Sequence, residues 1–219
     1  MMKNRFATFL IFFVFIFAHF SANAQYSSDE WKWRDGWMPV EKLFELAVVG
    51  VGDSVADVGC HEGYLTMRLA QKVGEQGKVY AVDVRNDRLQ TLKTNAKKHK
   101  LKNITTILGD YDNPKLPSNS LDVIFVIDTY HEISSYKEVL EHLKNSLKPG
   151  AKLVLLEKLK KRLVGKSRED QVSGHTLALS YVKNELQDAG FIIRKEINDF
   201  GQWEEDPTKT MWVLIAEKL

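Results

Sequence analysis

Val55-Ala56-Asp57-Val58-Gly59-Cys60-His61-Glu62-Gly63-Tyr64 decides the fold. Val55 to Val58 is a short Val-rich run of the kind buried on both faces of a parallel sheet. Tyr64 to Val73 reads as a helix, so Gly59 and Gly63 bracket a strand-to-helix turn whose backbone can come close to a ligand. Outward from this turn the alternation continues. Val79 to Val84 is a second strand, Leu89, Leu92 and Ala96 lie at helical spacing, and Ile104 to Leu108 is a third strand. Leu121 to Ile127 is the fourth and most apolar strand.

Tyr136, Val139, Leu140, Leu143 and Leu147 fall on one helical face, which Pro149-Gly150 ends before a strand at Lys152 to Glu157. A last helix, packed through Val182, Leu186 and Ala189, takes Ser180 as its N-cap and Gly190 as its C′ residue. Phe191 to Ile197 and Met211 to Ala216 follow as two strands. The pattern predicts an α/β fold: a Rossmann-like open sheet of about seven strands, mostly parallel with the last antiparallel, and helices on both faces.

The 219 residues suit one such domain, at about 100–200 residues per domain, and leave little room for a second. Upstream, Lys3 and Arg5 precede the apolar run Phe6 to Phe20, and Ala22-Asn23-Ala24 comes before Gln25, the layout of a cleaved secretory signal at residues 1–24. An uncleaved amino-terminal membrane anchor is the alternative. Residues 25–39 form an aromatic-rich segment with Trp31, Trp33 and Trp37, either closing over a substrate or packing at an edge, and Pro39 opens a helix through Val49. Cleavage after Ala24 removes Lys3 and Arg5 and leaves 29 basic against 29 acidic residues. A neutral domain is not built to coat nucleic acid. Cys60 is the only cysteine, so stability comes from core burial rather than an intrachain disulfide, and no cysteine near the cleavage site could carry a lipid that holds the mature chain in a membrane.

In an open parallel sheet, ligands bind beyond the carboxyl ends of the strands. Asp83 ends the second strand, where an acceptor-only carboxylate can take both hydroxyl hydrogens of a ribose. Gly109-Asp110-Tyr111 follows the third strand, offering a carboxylate to an exocyclic amine and a ring to a base. Asp128-Thr129-Tyr130-His131-Glu132 follows the fourth. A glycine-rich turn with an acid about 20 residues later also describes a dinucleotide site. His61 argues against it, because a pyrophosphate pressed on the backbone there would want glycine.

Taken in order, these stretches resemble the class I S-adenosylmethionine-dependent methyltransferases over roughly residues 40–219. Val55 to Tyr64 looks like the family's first motif, Asp83 its ribose-binding acid, Gly109-Asp110 its adenine-side acid, and Leu147-Lys148-Pro149-Gly150 the turn before its fifth strand. Tyr130-His131-Glu132 is similar to the stretch after its fourth strand, with Glu132 where a second histidine is usual. The resemblance implies S-adenosylmethionine as cofactor, held by Asp57, Gly59, Cys60, Gly63, Asp83, Val84, Gly109, Asp110, Tyr111 and Asp128. It implies methyl transfer to a small-molecule acceptor, with Tyr130, Glu132 and His175 as substrate contacts and His131 as the candidate general base. A second reading, prompted by the export signal, is a non-catalytic exported module that binds S-adenosylmethionine or another nucleoside.

His61, Glu62, His131, Glu132, Glu157 and His175 all fall at or after strand ends. Any α/β crevice collects polar residues, and neither Cys-x-x-Cys nor His-Glu-x-x-His occurs, so the expectation is no metal. Lys158 to Arg162, with Lys166 and Arg168, reads as a solvated loop, and Cys60 as a packing residue.

Overall fold

A computed structural model of the protein describes residues 28–219. The expected export segment lies outside the described residues. The chain runs α1 (Ser28–Trp37), α2 (Val40–Ala47), β1 (Ser54–Val58), α3 (Tyr64–Val73), β2 (Lys78–Asp83), α4 (Asn86–Lys98), β3 (Ile104–Leu108), β4 (Leu121–Ile127), α5 (Tyr136–Ser146), β5 (Leu147–Lys160), α6 (Arg168–Ser173), α7 (Leu179–Asp188), β6 (Ile192–Gln202) and β7 (Lys209–Glu217).

The strands form one sheet in the order β3-β2-β1-β4-β5-β7-β6. All pairings are parallel except those of β7, which runs antiparallel to β5 on one side and to β6 on the other. The chain winds outward from β1 to β3 and then returns to place β4 on the other side of β1. Loops after β1 and β4 therefore leave in opposite directions, and the crevice between them is where this architecture binds ligands.

Side chains of the central strands alternate between the two faces of the sheet with the two-residue period of a pleated strand, and both faces are buried. Val123, Phe125 and Ile127 of β4 join Val154 and Leu156 of β5 in a core under α2 and α3. Ile124 and Val126 join Leu153 and Leu155 in a second core under α5 and α7. At about 25 cal/mol per Å² of apolar surface, these two faces supply the main stabilisation of the domain.

The structure departs from the sequence expectation at several element ends. Residues 28–37 are a helix, and α2 ends at Ala47 because Val48 turns left-handed, with φ +62°. The helix α5 stops at Ser146, and Leu147 begins a strand that runs 14 residues, with Pro149-Gly150 inside it. Gly150, at φ +75°, absorbs the irregularity between the Leu121–Leu147 and Val123–Lys152 pairings. The N-cap of α7 is Ala178 rather than Ser180, which sits inside the first turn, whereas Gly190 does take the left-handed backbone after the helix. Finally, Lys158, Leu159 and Lys160 belong to β5 and not to a solvated loop, and Lys158 is 7% exposed.

Candidate active site

The turn after β1 is shaped by three left-handed residues, Gly59, His61 and Gly63. A Cβ on Gly59 would meet the Thr129 side chain at 2.3 Å, so glycine is what lets the β1 and β4 loops close against each other. Gly63 leads into α3 and rests on Leu92, where a Cβ would meet Cγ at 2.8 Å. The Asp83 carboxylate ties two loops together, accepting the His61 amide on Oδ2 and the Arg85 amide on Oδ1, both at 2.9 Å. Glu62 is buried in an ion pair with Arg88 and clamps α4 to the turn. Cys60 packs with Ala81, Leu89 and Leu92, and burial pushes its thiol well above the usual range, so it is a packing residue.

Asp57 is 3% exposed and accepts the Thr66 hydroxyl at 2.6 Å. Burial raises its pKa to about 6, against the Thr66 hydrogen bond and the Arg34 charge, which both favour the ion. Beyond β3, Asp110 pairs with Lys115 at 2.9 Å, and Tyr111 is 77% exposed.

After β4, Asp128 takes a left-handed backbone and pairs with Lys158 from β5. Burial, and then the neighbouring Glu157, raise its pKa to about 6, with Lys158 opposing. His131 is buried too. Its Nδ1 lies 3.0 and 2.9 Å from the two oxygens of the wholly buried Glu157, whose Oε1 also accepts the His131 backbone amide. Burial works against the imidazolium, but the Glu157 hydrogen bond and charge outweigh it, and the pKa is raised.

One cleft of about 950 Å³ runs past these loops. Asp57, Gly59, Cys60, Asp83, Val84, Asp110, Tyr111 and Asp128 line it, together with His61, Glu132, Lys158 and Lys160. Gly63 and Gly109, expected at the ligand, instead shape the turns from behind: Gly109 is buried and donates its amide to the Asp83 carbonyl at 3.1 Å. Tyr130, expected to touch substrate, is fully buried because its hydroxyl donates to Glu185 at 2.8 Å, which in turn holds Arg168. His131 forms no part of the lining, since Glu157 draws its ring inward, and His175 is exposed beside it rather than in the cleft.

A further wall is built from α1, the Trp203 turn between β6 and β7, and the start of β7: Trp31, Trp33, Arg34 and Trp37 join Trp203 and Lys209. The Trp37 and Trp203 rings lie 4.8 Å apart, and the Arg34 guanidinium sits 4.3 Å from the Tyr64 ring centre, also reaching Trp37 and Trp203. The Trp37 indole N–H is buried with no hydrogen-bond partner among the described residues. Trp31, Arg34 and Trp37 recur at helical spacing, a signal that could have found this face. Arg34, Trp203 and Lys209 were missed by sequence reasoning, and for Trp203 no local signal exists.

A family model described as a methyltransferase domain matches residues 50–209. The chain belongs to this family. Demethylmenaquinone methyltransferase of Geobacillus sp. (strain WCH70) is 31% identical to this methyltransferase domain over 134 residues, 61% of this chain and 55% of that one. An aklanonic acid methyltransferase of Streptomyces sp. (strain C5) is 29% identical over 108 residues, 46% and 49% of the two chains. The chain thus spans about half the length of these curated relatives. Among solved structures, a SAM-dependent methyltransferase from Aquifex aeolicus superposes with a TM-score of 0.72 at 26% identity, covering 89% of this chain and 100% of the other. The family match takes in every strand-end loop of the methyltransferase cleft, while α1 lies before it.

Proposed function

We propose that this methyltransferase domain transfers a methyl group from S-adenosylmethionine to a small-molecule acceptor. The observation that carries the reading is the joint lining of one cleft by Asp57, Asp83 and Asp110, from three successive strand ends, together with an aromatic wall. The donor set fits a nucleoside. Each Asp83 oxygen uses one lone pair on a backbone amide and keeps another for a ribose hydroxyl, and Asp110 and Tyr111 stand beyond it for the base. The volume lies in the range of about 300–1,000 Å³ usual for small-molecule sites.

When bound, S-adenosylmethionine supplies an electrophilic methyl group that an acceptor attacks in line. The chain contributes position, since holding two reactants in line accounts for much of the acceleration in such transfers. Trp37, Trp203 and Arg34 give the cleft an aromatic and cationic wall, and Lys158 neutralises Asp128 at the cleft floor. His131 is not assigned as the general base, because it is 3% exposed and forms no part of the cleft lining. Glu132, whose side chain is 64% exposed, is the carboxylate of that loop's last turn that faces the cleft.

The test is calorimetric titration of the purified chain with S-adenosylmethionine, S-adenosylhomocysteine and NAD, followed by labelled-methyl transfer to small-molecule extracts. Binding of the first two and transfer of label supports the reading. Binding without transfer makes the domain a binding module, and binding of NAD alone overturns both.

We also infer that the domain acts after export and independently of nucleic acid. Lys3, Arg5, the apolar run to Phe20 and Ala22-Asn23-Ala24 support export, and the even charge of the remaining chain supports a small-molecule partner. No helix among the described residues is long and apolar enough to cross a membrane. Amino-terminal sequencing of protein from its native host reads Gln25 first if the signal is cleaved. Retention of Met1 in a membrane fraction supports the anchor instead, and retention in the cytoplasm removes export.

A further inference from the structure

His131, Glu132 and His175 bring two imidazoles and a carboxylate together at the lip of the cleft, with one ligand atom from each all within 4.8 Å of one another. We propose that these three side chains bind a divalent transition cation of the zinc type. Nothing in this assignment depends on which cofactor the cleft takes.

Two imidazole nitrogens with one carboxylate suit zinc or iron, whereas magnesium and calcium call for oxygen ligands throughout. The histidine at the centre is already oriented. Glu157, wholly buried, takes both the Nδ1 side of the His131 ring and its backbone amide. With the hydrogen on Nδ1, the lone pair is left on Nε2, and Nε2 is the atom that lies 3.8 Å from Glu132 Oε1. A buried carboxylate behind a histidine is the arrangement that fixes the tautomer and orientation of metal-bound imidazoles.

His175 is held from its own side. It takes a left-handed backbone, φ +53°, uncommon for a residue other than glycine. Its neighbour Thr176 is fully buried and bonded to Lys158 and Lys160 of β5, which fixes His175 beside His131. The two rings meet edge to face at 86° and 5.9 Å, so neither covers the other's nitrogens as stacked rings would. The Glu132 side chain forms no ion pair with any described residue except His131. Both Glu132 and His175 are exposed and need only side-chain rotation to close on an ion.

A rival grouping of Asp128, His131 and Glu157 is weaker. The Lys158 ammonium already occupies the cation position at Asp128, and Glu157 is committed to Nδ1. A cation on His131, Glu132 and His175 has three protein ligands and keeps a position for an oxygen ligand.

The test uses the full chain without a histidine tag, stripped with chelator and titrated calorimetrically with zinc, manganese and magnesium chlorides. One zinc per chain is expected, at a dissociation constant of about 1 µM or below. His175→Ala and Glu132→Gln, both at exposed positions and so compatible with folding, should each weaken zinc by more than about a hundredfold. Glu157→Gln should weaken it by about ten- to a hundredfold by loosening the His131 ring. Asp83→Ala should leave zinc affinity unchanged even as it weakens cofactor binding, which separates failure of this inference from failure of the methyl-transfer reading. Absence of saturable zinc binding, preference for magnesium, or wild-type zinc affinity in His175→Ala would overturn it.

Discussion

The backbone amide of His61 donates to Oδ2 of Asp83 at 2.9 Å, across 22 positions of sequence. One carboxylate therefore anchors the β1 turn and also lines the cleft, where the proposed function gives it the ribose. Asp83→Ala should lower S-adenosylmethionine affinity by about ten- to a hundredfold, the value of a charge-assisted hydrogen bond at about 1.5–3 kcal/mol. It should also speed amide exchange at His61. Calorimetry and hydrogen exchange read the two effects, and wild-type affinity in the variant would remove Asp83 from the site.

Asp57 holds its proton more tightly in the fold than in the unfolded chain, because burial lifts its pKa from 3.8 to about 6. Its contribution to stability is fully present below about pH 3.8 and is lost as pH rises through about 6. Ionised at about pH 8, it costs about 3 kcal/mol. Asp57→Asn keeps an acceptor for Thr66 and removes the charge. In thermal scans the variant should melt about 5 °C or more above wild type at about pH 8, with the difference vanishing at about pH 4. An equal difference at both pH values would refute the assignment.

Arg34 packs against Tyr64, Trp37 and Trp203 at once, and each such contact is worth about 0.5–2 kcal/mol. Arg34→Ala should undock α1, so limited proteolysis within residues 28–37 quickens while the melting of the sheet changes little. If methyl transfer is measurable, the acceptor's KM should rise more than kcat falls. Arg34→Lys should restore only part, because an ammonium lacks the flat face that stacks on rings.

Ser167 caps α6, accepting the Asp170 amide at 3.1 Å, whereas Ser180 lies within the first turn of α7 and makes no cap. Ser167→Ala should destabilise by about 1 kcal/mol and Ser180→Ala by less than about 0.5 kcal/mol, read from urea midpoints.

The strands and helices from Val55 to Ile127 were legible because their cues are local: Val-rich runs for buried strands, glycine turns, and apolar spacing for α3 and α4. Asp57, Asp83, Asp110 and Asp128 could be placed because they lie at strand ends, and a parallel sheet brings those ends together. Ser180 is a false cap signal because α7 starts at Leu179 without a polar cap, its place set by the packing of Leu179 and Val182. Tyr130 and His131 escape a local reading for a tertiary reason. Their partners, Glu185 and Glu157, lie 55 and 26 positions away and draw both rings inward. The contact of Trp37 with Trp203 joins distant parts of the chain and leaves no local trace.

Leu153, Val154, Leu155 and Leu156 of β5 are all wholly buried, with β4 paired on one edge and β7 on the other. Amides so enclosed exchange with solvent only when the whole domain opens. Glu157 and Lys158 are the next two residues of that strand. The polar floor of the cleft is thus mounted on the last part of the molecule to loosen, so heating that frees α1 from its aromatic contacts leaves the partners of His131 and Asp128 where they stand.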